Sequence, residues 1–234
     1  MKRTCVERFD FRGAYAPPLT ASRLGKWAKA DTSAAGSPTV QTGSSGAMEL
    51  TLVNTNEAEN LCLYYGDVLP YDIDDLVRFE MWVAVTASLN AAISAAWGLT
   101  GARNDAIDSI AQAALFRVIG NNNVVVESDD GTNDNDDVAT GETLSTTFKR
   151  FVIDFSAGNL AQSPPSRSLG GTADVRFHIG NSAGLLRRVA AGTRFNMSNY
   201  TGGLQPFFQI QKTADAATGV LYVLGGEIEY RLPL

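Results

Sequence analysis

Residues 77–86 alternate strictly between apolar and other side chains, and this pattern constrains the fold more than any other feature of the chain. In the stretch VRFEMWVAVT the odd-numbered positions are all apolar, whereas the even-numbered positions carry arginine, glutamate, tryptophan, alanine and threonine. A period of two is typical of a β-strand with one buried face and one outward face. The same alternation returns at residues 151–155, 175–179 and 227–232, so it predicts a chain built mostly of strands.

Helical spacing is found at only one place, residues 104–114. Asn104 or Asp105 stands where a helix cap is expected, and Ile107 and Ile110 follow at the spacing of one helix face. The sequence GNNN at residues 120–123 lies between two apolar segments and predicts a hairpin turn. We therefore expect at most one short helix, near residues 104–114.

Roughly a dozen alternating segments with irregular connections predict an all-β fold in which two antiparallel sheets pack face to face. At 234 residues the chain fits one large β-sandwich of the jelly-roll or concanavalin-like type. Two tandem small sandwiches are the alternative, although no clear linker lies near the middle. The predicted organisation is a basic N-terminal arm with a Ser/Gly/Ala-rich loop over residues 1–47, followed by one sandwich domain over residues 48–234.

Charge is distributed unevenly along the chain. Residues 1–30 hold seven basic and two acidic side chains, although the whole chain has a formal net charge of −6. A basic segment on an acidic body can bind an acidic neighbour, including another copy of the chain. We expect no nucleic-acid partner, because the acidic body would repel phosphates.

The two cysteines and the N-terminus carry little functional signal. Cys5 and Cys62 lie in no metal-binding or redox motif, so they predict two free thiols or, alternatively, a single disulfide. The basic residues at the start are not followed by an apolar run, and no segment reaches the length of a membrane span. These features predict synthesis in a cytoplasm and no membrane partner.

The segment from Glu127 to Asp137, ESDDGTNDNDD, is the most acidic part of the chain. Calcium favours several carboxylate oxygens that converge from one loop, but the spacing of glycine and glutamate does not match an EF-hand. We expect a solvated loop, with calcium binding as the open alternative. We assign no metal ligand and no cofactor.

Few residues offer catalytic chemistry. His178 is the only histidine, and no Gly-x-Ser-x-Gly motif is present, so we expect His178 to be a structural or interface residue. Glu227 and Glu229 would share one face of a strand, as the paired carboxyls of a glycosidase can. Beside Arg231 they more simply predict a charged outward edge. We assign no catalytic residue and expect no enzyme.

Trp82 occupies the otherwise polar face of the 77–86 strand. An indole outside the core can stack on a sugar, pack against another subunit, or be covered by a loop of its own chain, and the sequence leaves these roles open. We expect Trp27 and Trp97 to be ordinary core or edge aromatic residues.

Three runs of the sequence resemble a family of phage proteins. VESDDG at 126–131, KRFVIDF at 149–155 and QPFFQIQKT at 205–213 are similar to segments of the jelly-roll structural proteins encoded beside capsid genes in tailed bacteriophages. The resemblance extends from about Met48 onward and does not include the basic arm. It implies a cement or decoration protein of the phage head, often a trimer bound where capsid subunits meet.

The resemblance and the residue chemistry together predict a structural virion protein. Its expected partners are the major capsid protein and further copies of itself, and its expected location is the capsid surface after synthesis in the host bacterial cytoplasm. Two rivals belong to other classes. A carbohydrate-binding or host-attachment protein predicts exposed aromatic side chains, and a sandwich glycosidase predicts turnover that depends on Glu227 or Glu229.

Overall fold

A computed structural model describes residues 3–12, 23–24, 27–43, 46–86, 88–156, 171–180 and 185–232, with only the backbone at 23–24. The described residues form seventeen strands, numbered β1 to β17 in chain order, which lie in two antiparallel sheets. The predicted all-β sandwich is therefore confirmed. The predicted arm is described only in part, because its residues 1–2, 13–22, 25–26 and 44–45 lie outside the described residues.

Sheet A contains eight strands: β1 (Arg3–Asp10), β4 (Thr39–Thr42), β5 (Met48–Thr51), β8 (Leu76–Val85), β13 (Lys149–Asp154), β14 (Arg176–Gly180), β15 (Leu186–Arg188) and β17 (Val220–Leu232). Their order is β15-β14-β13-β8-β17-β5-β4. Strand β1 also pairs with β17, along residues 225–232, beyond the stretch of β17 that pairs with β5. The first and last described strands therefore lie in the same sheet.

Sheet B contains nine strands: β2 (Arg23–Leu24), β3 (Trp27–Asp31), β6 (Glu59–Tyr64), β7 (Tyr71–Asp72), β9 (Ile93–Thr100), β10 (Ala113–Ile119), β11 (Asn123–Asp129), β12 (Asp134–Thr143) and β16 (Gly203–Lys212). Their order is β12-β11-β10-β9-β16-β6-β3-β2, with β7 also paired to β16. Residues 3–12 and 27–43 supply strands to both sheets, so the described part of the predicted arm belongs to the sandwich.

The core lies between the sheets and is rich in aromatic side chains. Phe116 of sheet B packs edge-on against Phe151 and Phe177 of sheet A, with ring centroids 4.9 and 5.2 Å apart, and lies 6.3 Å from Trp97. Phe9 contacts Trp27 at 5.2 Å. Aromatic rings bury large areas, and their tilted contacts add to that stabilisation. Trp27 and Trp97 are buried in this core, as expected.

Two short elements were predicted with different success. Asn121 and Asn122 have φ angles of +36° and +61°, and the turn joins β10 to β11 as an antiparallel hairpin, which confirms the prediction from GNNN. The expected helix at 104–114 is reduced to a 3-10 turn at Ile107–Ser109. The Asn104 carboxamide accepts from the Ala106 amide, and this local turn competes with helix continuation.

The prediction of a loop at 127–137 is wrong for most of its length. Glu127–Asp129 ends β11, Asp134–Asp137 begins β12, and only the tip between them is a turn. Asp130 orders that tip by accepting hydrogen bonds from the Asn133 and Asn199 amides at 2.7 and 3.0 Å. Its pKa is lowered because these hydrogen bonds outweigh the effect of burial.

Candidate functional site

The outer face of sheet A brings together the residues that the sequence offered as candidates. Trp82 on β8 and Glu227 and Glu229 on β17 project from this face, and His178 lies on the same side of β14. The alternation of each strand places them there, because the apolar residues beside them, such as Phe79, Phe177 and Ile228, are buried in the core. The predicted outward position of Trp82 is confirmed.

Ion pairs cross this face from strand to strand. Arg78 Nη2 lies 2.5 Å from Glu227 Oε1, and Arg8 Nε of β1 lies 3.2 Å from Glu227 Oε2. Both oxygens of Glu80 accept from Arg150, each at 2.6 Å. Arg78 Nε also lies 3.7 Å from Glu229. The two glutamates considered for glycosidase chemistry are therefore both paired with Arg78. They do not form the predicted outward edge beside Arg231, because this part of β17 lies between β8 and β1.

A cavity of about 410 Å³ opens on the outer face of sheet A. Gly225 and Gly226 form part of its lining, Trp82 and Leu224 contribute apolar side chains, and Glu80 and Glu227 contribute carboxylates. Arg8, Asp10 and Arg12 of the N-terminal segment also line it. Its volume falls within the range of small-molecule sites, on the order of 300–1,000 Å³.

A β-bulge in β17 creates the cavity. Val223 pairs with Val83 and Gly225 pairs with Trp82, so Leu224 is an extra residue in the strand. Gly225 has a φ of +149°, and a Cβ there would lie 2.5 Å from the Phe9 carbonyl oxygen. Glycine is thus required where β1 approaches the bulge. The Gly-Gly pair inside an apolar strand is the sequence signal that would have revealed this site.

His178 lies outside the cavity and is half-buried between β13 and β15. Its pKa is lowered, first by burial and then by Arg188 and Arg176, while Asp154 opposes the shift. The imidazole is therefore neutral over more of the physiological pH range than an exposed histidine. The structure brings no described serine or cysteine to it, and its role as a structural or interface residue stays a prediction.

A second cluster, on the outer face of sheet B, surrounds Arg117 of β10. The Arg117 side chain is only 3% exposed, and its guanidinium lies 2.5 Å from both Glu127 and Asp108 and 3.3 Å from Asp137. Asp136 is 3.8 Å away. One cation thus faces four carboxylates. The acidic residues of 127–137 were recognisable from the sequence, but Asp108 and Arg117 were not, because nothing in the local sequence places them beside that segment.

Asp108, Glu127 and Asp136 offer ligand atoms within 4.8 Å of one another, which bears on the calcium alternative. The guanidinium of Arg117 already contacts all three carboxylates, and a bound cation would be close to that positive charge. The residues present therefore fit a divalent ion poorly.

Glu127 gives this cluster a pH dependence. Burial raises its pKa to about 7, and Arg117 only partly offsets the shift. Between pH 4.5 and 7 the folded protein holds a proton that the unfolded chain has lost, so stability should fall as pH rises through this window. In the original protein, this effect should lower the free energy of unfolding by about 1–3 kcal/mol as pH rises. We expect Glu127→Gln to remove that loss, and urea unfolding from pH 5 to 8 measures it.

His178 contributes with the opposite sign, because a lowered histidine pKa makes stability rise with pH. It is unchanged in the Glu127→Gln variant, so the difference between the two unfolding profiles reports Glu127 alone. Parallel profiles for the variant and the original protein would contradict the assignment.

Cys5 lies half-buried on β1 and Cys62 is buried on β6, and both are free. Burial raises the pKa of the Cys62 thiol well above its ordinary value, which disfavours the reactive thiolate. The prediction of two free thiols is confirmed.

Comparison with solved structures shows the fold. Peanut lectin, bound to a nine-residue peptide, aligns with a TM-score of 0.58 at 9% identity over 99% of this chain and 100% of its own. A β-glucanase of Bacillus licheniformis aligns with a TM-score of 0.56 at 13% identity, over 94% of this chain and 97% of the glucanase. A protein of unknown function from Shewanella oneidensis MR-1 aligns with a TM-score of 0.55 at 10% identity, over 98% of this chain and 87% of that protein. At these identities the shared property is the jelly-roll sandwich itself.

No family model matches the sequence, and no curated protein matches it. Within the described residues, no helix has the length and apolar character needed to cross a membrane.

Proposed function

We propose that this chain is a structural protein of a tailed-phage particle, a cement or decoration protein that binds the assembled head without catalysing a reaction. The observation that carries the proposal is an excess of carboxylates at one exposed edge of the sandwich. We call this the acidic edge, formed by Asp108, Asp134, Asp136 and Asp137. The phage resemblance of residues 126–131 and 149–155 supports the same role.

The acidic edge is suited to binding a basic surface. Strand β12 is the last strand of sheet B, and the side chains of Asp108 and Asp136 are 68% and 65% exposed. Among the residues that the structure describes, Arg117, which is buried beneath them, is the one cation paired with these carboxylates. Charged groups arranged in this way raise association rates and select partners of opposite charge.

The N-terminal segment offers basic side chains at the other end of the sandwich. Arg8 is 80% exposed on β1, and Arg3 is also exposed. Contact between the N-terminal segment of one copy and the acidic edge of the next would be heterologous, and such contacts close into rings when the rotation permits. This arrangement fits a homotrimer on the head, bound also to the major capsid protein. Binding the assembled lattice better than free subunits would stabilise the particle.

Neutralising the acidic edge tests the proposal. We expect Asp134→Asn/Asp136→Asn/Asp137→Asn to bind purified heads that lack this protein at least about tenfold more weakly, because attraction between opposite charges is lost. The measurement is co-sedimentation at several salt concentrations, and the variant should also lose most of the salt dependence. Asparagine tolerates the positive φ at residue 137.

The matched control removes three exposed carboxylates elsewhere, in Glu57→Gln/Asp72→Asn/Asp74→Asn. It should bind heads as the original protein does. Equal binding and equal salt dependence for the acidic-edge variant would reject the role of that edge. Deletion of residues 1–30 is a less clean test, because it removes Phe9 and Trp27 from the core.

Saccharide binding is the second candidate, and the cavity on sheet A favours it. Solved structures with the same fold include a lectin and a glucanase. An open cavity with an indole and several hydrogen-bonding groups is a common form of small-molecule site. This role is compatible with a place on the particle surface if the cavity faces outward.

A further inference from the structure

The cavity on sheet A combines an apolar wall with a rigid polar rim. Trp82 and Leu224 supply the apolar wall, and the absence of side chains at Gly225 and Gly226 leaves the backbone of the bulge as part of the lining. Indoles provide a flat surface on which the C–H groups of a ring can pack. A ligand of this cavity should therefore present one apolar face.

Every carboxylate on the rim has a cationic partner. Glu80 is held by Arg150, Glu227 by Arg78 and Arg8, and Asp10 by Arg12 at 2.8 Å. The pKa of Asp10 is lowered, first by its hydrogen bonds from Arg12. A charged ligand would have to compete with an existing ion pair. Neutral hydroxyl groups can instead donate to free carboxylate lone pairs and accept from guanidinium N–H groups.

The ion pairs also hold the rim in position. Glu80 receives two hydrogen bonds from Arg150, and Glu227 receives one from each of two arginines. Side chains that are already ordered lose less conformational entropy when a ligand binds. The rim is thus prepared to recognise a fixed arrangement of hydroxyl groups.

We propose that this cavity binds an uncharged saccharide, with one sugar face packed on Trp82 and its hydroxyl groups bonded to Glu80, Glu227 and Arg8. This inference rests on the second candidate function and does not depend on the acidic edge. A polyhydroxylated ring matches the cavity because it has both an apolar face and an equatorial belt of donors and acceptors. The bound ring would lie across the bulge between β8 and β1.

The test measures binding of neutral disaccharides by the full chain. Lactose, cellobiose, maltose and N,N′-diacetylchitobiose are titrated while tryptophan fluorescence is followed, with sialyllactose as the charged comparison. We expect at least one neutral disaccharide to change the emission, and Trp82→Ala to weaken its binding at least tenfold in calorimetry. Sialyllactose should bind no more tightly than lactose.

Tyr222→Ala is the matched control, because Tyr222 is an aromatic residue on the same face of β17 that does not line the cavity. It should bind within about twofold of the original protein, and Glu227→Gln should weaken binding without unfolding the chain. Absence of binding to all four neutral sugars, or equal binding by Trp82→Ala, would overturn the proposal.

A second copy of the chain is the rival occupant of the cavity. If Trp82→Ala changes the oligomeric state in analytical ultracentrifugation while sugars have no effect, the cavity is a subunit contact and the saccharide proposal is rejected. The acidic-edge variant retains every residue of the cavity. Head binding by the acidic-edge variant therefore tests the cement role, and sugar binding by the original protein separately tests the saccharide proposal.

Discussion

Lys212→Met is expected to lower the free energy of unfolding by about 3–5 kcal/mol, because it leaves the carboxylate of Glu59 buried without its cation. Lys212 and Glu59 are paired residues of β16 and β6, and both side chains are 0% exposed. The Lys212 ammonium donates to the carbonyl oxygens of Val53, Thr55 and Ala217 at 2.6, 2.7 and 3.1 Å. Urea unfolding at pH 7 measures the loss.

The pair also connects two loops to the sheet. Glu59 accepts from the Val53 amide at 2.9 Å and from the Thr55 hydroxyl at 2.5 Å, so both partners bind the segment between β5 and β6. Methionine can replace the aliphatic part of lysine but none of its three donors. The carbonyl groups left behind would therefore add to the cost.

Lys149→Met is the control for Lys212→Met. Lys149 lies 2.7 Å from Glu142, but both side chains are partly exposed, and such pairs contribute about 0–1 kcal/mol. If Lys212→Met does not fold, the double variant Glu59→Leu/Lys212→Met should recover folded protein, because no unpaired charge remains. A loss for Lys212→Met no greater than that for Lys149→Met would contradict the argument.

Phe116→Ala is expected to destabilise the protein by a similar amount, about 3–5 kcal/mol. Phe116 is fully buried and its ring contacts side chains of both sheets. Rigid strands on either side cannot collapse fully into the space, so the lost transfer energy and the cavity both contribute. The measurement is again urea unfolding.

The variant Phe116→Leu separates the effect of lost apolar volume from the effect of lost contacts between aromatic rings. It keeps most of the apolar volume but loses the edge-on contacts with Phe151 and Phe177, and we expect a loss of about 1–2 kcal/mol. Ile119→Ala, on the exposed end of the same strand, should cost much less. Similar losses for Phe116→Ala and Ile119→Ala would show that the two sheets do not pack through Phe116.

Alternation alone was sufficient to predict the strands that have one buried face. Residues 77–86 were assigned to the correct faces, Trp82 included, because a period of two leaves only one register that buries the apolar side chains. Strand β12 was missed because its sequence, DNDDVATGET, has no regular alternation of apolar and polar side chains. It is an edge strand whose aspartates resemble a loop, and charged side chains on edge strands prevent pairing with other chains.

The candidate sites were much less predictable. Trp82, Glu227 and Glu229 were noticed as residues, but their common face depends on β8, β17 and β1 being neighbours. So does the cavity that Trp82 and Glu227 line. Arg117 and Arg8 were missed, because their partners lie on other strands. The bulge at Leu224 had a local signal in Gly225 and Gly226, although that signal does not show which strand approaches it.

The sequence by itself determined the all-β class, the sandwich, the GNNN hairpin and the outward face of the 77–86 strand, because these follow from backbone periodicity and local turn chemistry. Only the tertiary structure decided that Lys212 meets Glu59, that Arg117 faces four carboxylates, and that the N-terminal strand closes one side of a cavity beside Trp82. The physical reason is that strand order depends on long-range pairing. Such pairing brings together residues that lie from 10 positions apart, as Arg117 and Glu127 do, to 219 positions apart, as Arg8 and Glu227 do. No local pattern encodes it.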